Sequence, residues 1–373
     1  MAARELYIDR LRVAMTTLVI LHHTAITYGA SGGWFWYEQK PSSALSSTLL
    51  TLFCATDQSF FMGFFFLLAG YFTPRSLEKK GYLRFLADRF LRLGVPLLAF
   101  ILTLGPLTGA MAQWADGKGF WATFPAIWQR RIIIVGPLWF AEALLIFVLA
   151  YCGWRALFGA KLPSSERTPS PVPKGSWWLL SALGVGASAL AIRQFFPTGV
   201  NIISLQLGYF ASYIFLFALG LAAWRFDWLR QLSWSKARAW LIVAGIAWFA
   251  LPLSSVLAAH AKTSGGTFSG GLSPQAILYA FWEPLVAWGI IAALIVLFRE
   301  RMNTHSALWE WMGRRAFAVY ILHPPVVVGI AILLHGWAAP ALVKFGTTGA
   351  LSCALCWLLA DPLVRLPGLR RVV

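Results

Sequence analysis

Long apolar runs follow one another almost without pause along this chain, and that spacing limits what it can fold into. A helix rising about 1.5 Å per residue needs roughly 20 mostly apolar residues to cross the hydrocarbon core of a bilayer. Ten stretches qualify: 11–29, 48–73, 88–111, 136–153, 176–193, 203–224, 238–258, 275–298, 316–336 and 341–363. Short polar or Pro/Gly-rich connectors separate them, such as KLPSSERTPSPVPKG at 161–175 and HAKTSGGTFSGG at 260–271. Only 12% of the 373 residues are charged and 59% are hydrophobic, whereas a water-soluble domain carries about 25% charged residues. Lipid is therefore the expected outer solvent. The predicted fold class is all-α: a polytopic membrane protein of about ten transmembrane helices, with residues 1–373 forming a single membrane domain and no soluble one.

The formal net charge of +17 would suggest nucleic acid in a soluble protein. Here the basic residues sit in short connectors, and no basic stripe with interleaved aromatics lies outside the apolar runs. Anionic lipid headgroups are the expected partner, and nucleic acid is not. With the N-terminus inside, alternate sides receive 24 and 7 of the 31 Lys and Arg residues. The excess on the N-terminal side predicts both termini in the cytoplasm. His22 and His23 interrupt the first run, and no small-residue cleavage site follows it, so the run is expected to stay as a transmembrane helix rather than act as a signal peptide. The four cysteines all lie in apolar runs, and Cys353-x-x-Cys356 has no second pair beside it. They are expected to be small buried hydrophobes, with no metal bound.

Ionisable groups inside a bilayer are costly and mark function by default. His22, His23, Asp57, Glu142, Glu283 and His323 fall well inside their runs. His23, Asp57, Glu142 and Glu283 are predicted to share one layer roughly 9–12 Å below the outer surface. His323 precedes Pro324 and Pro325, which are expected to break its helix and free carbonyls. The plain alternative is that these groups form structural pairs between helices. Arg12 and His23 are 11 residues apart, which brings them within about 20° of one helical face and about 16 Å apart along the axis. His22 projects elsewhere. A guanidinium suits a phosphate and an imidazole suits proton abstraction, so the two could hold the ends of one long ligand. Arg75, Arg89 and Arg92 are expected at the same cytoplasmic mouth, although ordinary positive-inside topology would also put them there.

At these residues the sequence resembles the acyltransferase 3 family of membrane proteins. YIDRLRVAMTTLVILHH at 7–23 carries the family's Arg-x10-His element as Arg12 and His23. FFFLLAGYF at 64–72, RFLRLGVPLL at 89–98, PLWF at 137–140 and YILHPP at 320–325 are similar to later landmarks, in order. Ala69 departs from the serine common in relatives. The resemblance implies transfer of an acyl group, acetyl- or succinyl-like, from cytoplasmic acyl-CoA to a hydroxyl. The acceptor would be a glycan outside the cell inner membrane, and acyl-CoA would serve as co-substrate with no tightly bound cofactor. The family's essential Arg and His carry over to Arg12 and His23, and the other roles are expected from the depth and placement of the residues read above. His23 would deprotonate the acceptor, with Asp57 or Glu142 orienting its imidazole, and Arg12 with Arg75, Arg89 and Arg92 would hold the donor. His22, Trp139, Glu283, Tyr320 and His323 would support the site or face the acceptor. The rival class is a proton-coupled transporter or permease of a small anionic or sugar-like solute, which would equally use buried carboxylates and a proline-interrupted helix.

Overall fold

A computed structural model describes residues 5–38, 43–159, 167–260, 267–369 and 372. Arg4, Lys40, Lys161, Lys262, Arg370 and Arg371, which enter the charge count, lie outside the described residues. Helices dominate, as a membrane interior requires, because only a helix or a closed barrel satisfies every backbone polar group without water. In chain order they are α1 (Leu6–Thr27), α2 (Ala44–Lys80), α3 (Tyr82–Ala115), α4 (Phe120–Gln129), α5 (Trp139–Phe158), α6 (Gly175–Arg193) and α7 (Phe210–Phe226). They continue with α8 (Trp228–Gln231), α9 (Trp234–His260), α10 (Pro274–Arg301), α11 (Ala307–Gly313), α12 (Ala316–Leu333) and α13 (Ala341–Arg365). Among the described residues the one β-type pairing is an isolated bridge between Ile202 and Leu205.

Among the described residues nine helices are long and apolar enough to span a bilayer: α2, α3, α5, α6, α7, α9, α10, α12 and α13. They coincide with nine of the ten expected spans. The remaining one, α1, does not reach that composition, since Asp9, Arg10 and Arg12 lie within it. Its burial gives the reason. Tyr7, Ile8, Leu11, Val13, Val19 and Ile20 are each 2% exposed or less, so α1 is surrounded by protein and needs no lipid-facing surface.

Helix irregularities follow the prolines. In α3 a π turn at Phe90–Gly94 precedes Pro96, and the helix breaks at Thr103, where Pro106 has no amide to offer the Leu102 carbonyl. In α12, by contrast, Pro324 and Pro325 do not break the helix, which runs unbroken from Ala316 to Leu333. The expected unwinding does not occur. The carbonyl freed by Pro324 is used locally, as described below.

The chain groups into two compact units interleaved in sequence. The first comprises Met1–Leu11, Gln58–Phe85 and Ile146–His305. Within it α10 packs along α9 and α6, and α6 along α7. Close helix crossings rest on small residues, the usual device where lipid offers no hydrophobic drive between helices. A Cβ on Gly70 of α2 would stand 2.2 Å from the Phe217 carbonyl, and one on Gly220 of α7 would stand 2.1 Å from that of Leu67. This accounts for the glycine in FFFLLAGYF. Arg299 gathers the carbonyls of Leu229, Arg230 and Leu232 at the end of α8, a structural task for a charge otherwise attributed to topology.

The second unit comprises Arg12–Asp57, Leu86–Leu145 and Ser306–Val373. Here α12 packs on α13 and on the Leu104–Ala115 part of α3. Val13 and Ile20 of α1 join Val319, Val327, Cys356 and Trp357 in one apolar core, and Ala25 and Ile26 join Leu50, Cys54 and Val328 in another.

Candidate active site

The second unit contains a cluster of three histidines and a tryptophan. Adjacent residues on a helix point about 100° apart, so α1 directs His22 and His23 at different neighbours. Their rings meet edge to face, with centroids 5.3 Å apart. His22 turns to α2, where its Nδ1 lies 2.7 Å from Asp57 Oδ1, with Asp57 buried. His23 turns to α12. Its Nδ1 lies 3.1 Å from His323 Nε2, with the ring centroids 5.1 Å apart and 21° between their planes. His323 Nδ1 lies 2.6 Å from the Tyr320 carbonyl. His323 is fully buried and His22 nearly so, whereas His23 is partly exposed.

Trp34 completes the cluster. Its indole stacks on His23 at a centroid distance of 3.9 Å and 20° between planes. The loop that carries it is closed at its base, where the Glu38 amide donates to the Thr27 carbonyl at 2.8 Å. Inside the loop the Tyr37 hydroxyl accepts from the Trp34 amide and donates to the Gly32 carbonyl. The Trp36 indole donates to Asp116. Glu38 is clamped by the ammonium of buried Lys344 at 2.9 Å and by His335 Nδ1 at 2.7 Å. Such a compact loop with joined ends holds its side chains in fixed positions. Here it fixes an aromatic lid against His23.

Measured against the sequence reading, the structure changes several pairings. Asp57 binds His22 rather than His23, because residue 22, not 23, faces α2. No hydrogen bond joins Glu142 to His23 among the described residues, and its buried Oε2 has no partner. Glu283 lies in the first unit, where it forms a buried ion pair with Arg193. Tyr320 lies beside the cluster, its hydroxyl donating to the Pro137 carbonyl and its ring 5.7 Å from His323, so YILHPP and PLWF touch. Trp139 begins α5, half-buried.

The arginines divide as well. Arg12 is partly exposed on α1, in the second unit. Arg89 and Arg92 flank Asp88 in that unit, at 3.4 Å and 3.1 Å, across the π turn. Arg75 belongs to the first unit, exposed, with its guanidinium 5.8 Å from the Trp224 ring centroid. Trp34, Glu38 and Lys344 are the residues that sequence reasoning missed. The aromatic run GGWFWY directly after the histidine helix was the available signal. Among the described residues no three His, Cys, Asp or Glu side chains gather as metal ligands.

The fold and the cluster together define a multi-pass membrane protein with a partly exposed histidine backed by other imidazoles. A family model described as an acyltransferase domain, that of the acyltransferase 3 family, matches residues 5–361. The chain belongs to this family and is a membrane acyltransferase. It is similar to glucans biosynthesis protein C of Escherichia coli strain K12, at 26% identity over 373 residues, covering 90% of this chain and 91% of the relative. The same protein from strain SMS-3-5 / SECEC matches at the same identity and coverage. That of Escherichia coli O6:K15:H31 (strain 536 / UPEC) is 26% identical over 367 residues. No solved structure matches the chain.

Proposed function

We propose that this acyltransferase takes its acyl group from cytoplasmic acyl-CoA and passes it to a hydroxyl of an extracytoplasmic glycan, from a cell inner membrane with both termini inside. One observation carries the reading: in a chain of this family, His23 is the partly exposed imidazole of a buried cluster, on the same helix as Arg12. The charge asymmetry of the connectors supports the orientation, and the name of the glucans biosynthesis relatives supports a glycan acceptor. An acetyl- or succinyl-like acyl group is in keeping with that class.

In this scheme the donor's phosphates rest on Arg12, with Arg89 and Arg92 beside them, and its pantetheine arm runs along α1 toward His23. The separation of about 16 Å matches the reach of such an arm. His23 accepts the proton of the acceptor hydroxyl while the hydroxyl oxygen forms a bond to the thioester carbonyl carbon. The carbon–sulfur bond then breaks, and the departing thiolate takes the proton back from His23. Trp34, stacked on His23, restricts water and offers an apolar face of the kind on which sugar rings settle. Asp57 serves through His22, which it holds in place, rather than on the base itself.

The test is acyl transfer by purified protein in liposomes, supplied with labelled acyl-CoA and an oligoglucan. His23→Ala should abolish transfer in a protein that still folds, and His22→Ala should retain part of it. Equal turnover by His23→Ala and the unaltered protein would overturn the assignment of the base.

A further inference from the structure

In an α-helix the Tyr320 carbonyl would accept from the amide of residue 324, but that residue is Pro324 and has no amide hydrogen. His323 fills the gap, with Nδ1 2.6 Å from the freed oxygen. A carbonyl oxygen can only accept, so Nδ1 of His323 carries the hydrogen. In the neutral ring Nε2 then bears a lone pair. That Nε2 lies 3.1 Å from His23 Nδ1, and a lone pair there can only accept. His23 Nδ1 therefore carries a hydrogen and donates it, so that Nε2 of the neutral ring is unprotonated; the Val19 carbonyl, one turn back on α1, also lies within hydrogen-bond reach of this ring.

We propose that His323 is a positioning residue that fixes the tautomer of His23, so that Nε2 is the nitrogen presented to the acceptor hydroxyl. The inference rests on the reading of His23 as the base. The device is written in the local sequence. Proline at 324 strips one carbonyl of its donor, the preceding histidine is held by that carbonyl, and the far nitrogen of the same ring orders the next imidazole. When Nε2 of His23 takes the acceptor's proton, the bond from its Nδ1–H to His323 becomes charge-assisted and shortens. When the thiolate reclaims that proton, the original tautomer returns. His323 thus occupies the place that a carboxylate holds beside the histidine of hydrolytic triads. The nearby carboxylate, Asp57, is meanwhile bonded to His22.

The test compares three variants of the full chain in liposomes, measuring kcat and the KM for acyl-CoA. His323→Gln carries an oxygen near the position of Nε2 and should rescue kcat to within about tenfold of the unaltered protein. His323→Asn reaches only as far as Nδ1, keeping the bond to the Tyr320 carbonyl but offering nothing to His23. It should lose about 100-fold or more in kcat, a typical contribution of a general base, with KM unchanged. His323→Phe should fall with Asn. If Phe fails to fold, the comparison of the two amides decides alone, since they differ mainly in where the oxygen lies. Equal kcat for Gln and Asn, or full turnover by Phe, would overturn the proposal while leaving His23 as base. Full turnover by His23→Ala would overturn both.

Discussion

Replacing Arg193 by methionine isolates the cost of a buried charge. The guanidinium is 1% exposed and pairs with Glu283, whose side chain is 5% exposed. Its Nε also donates to the Gly208 carbonyl at 3.0 Å, and the group lies 5.4 Å and 5.1 Å from the Tyr209 and Tyr279 ring centroids. Removing one partner of such a pair leaves the other charge uncompensated, at a cost of roughly 3–5 kcal/mol. Arg193→Met together with Glu283→Leu removes both charges at similar volume, which is close to neutral for the pair itself. The Gly208 carbonyl still loses its donor, at about 1–3 kcal/mol. The double variant should therefore fall only about 1–3 kcal/mol below the unaltered protein and above the single variant. Equilibrium unfolding in detergent micelles, followed by tryptophan fluorescence, measures all three. A single variant within about 1 kcal/mol of the unaltered protein, or a double variant no better than the single, would refute the reasoning. Turnover of the same proteins tells whether Glu283 also serves the acceptor.

Gly70→Leu should destabilise the crossing of α2 and α7 by about 1–3 kcal/mol through overpacking. Gly184→Ala, where a Cβ meets nothing within 4 Å, should stabilise by about 0.5–1 kcal/mol, both read by the same unfolding assay. Lys344→Met leaves Glu38 buried without its ammonium and loosens the loop that carries Trp34. Amide hydrogen exchange over residues 28–38 should quicken by roughly tenfold, and unchanged exchange would show that the clamp does not hold the loop. Reporter fusions at Lys118 and Lys262 should lie outside and one after Val373 inside, and a C-terminus found outside would overturn the orientation.

Hydropathy made nine spans readable because a lipid-facing helix must be apolar at nearly every position. The run at 11–29 was readable as well, although α1 as a whole falls short of a lipid-facing composition, because its surroundings are protein and it can therefore hold Asp9, Arg10 and Arg12. The intramembrane histidines and carboxylates were readable from cost alone, and their pairings were not. A helical wheel gives the angle between His22 and His23, but not which neighbouring helix occupies each direction, so Asp57 was placed on the wrong ring. Charges near helix ends misled in a second way. Arg193 and Lys344 counted as connector charges, yet both are buried in ion pairs with distant residues, Glu283 and Glu38. Trp34 lies in a connector, where a hydropathy reading expects no site residue. Pro324 was rightly singled out, but its consequence depends on His323 being near enough to use the freed carbonyl.

In the proposed reaction donor and base meet along α1. The measurement that tests it most directly is a structure of the purified protein with a non-hydrolysable coenzyme A thioester analogue, with the sulfur located. The sulfur is expected beside His23 Nε2, under Trp34, with the phosphates on Arg12 and binding weakened about tenfold or more by Arg12→Lys, which keeps the charge and loses the fork. A nucleotide bound away from Arg12, or binding indifferent to Arg12 and Arg89 together, would contradict it.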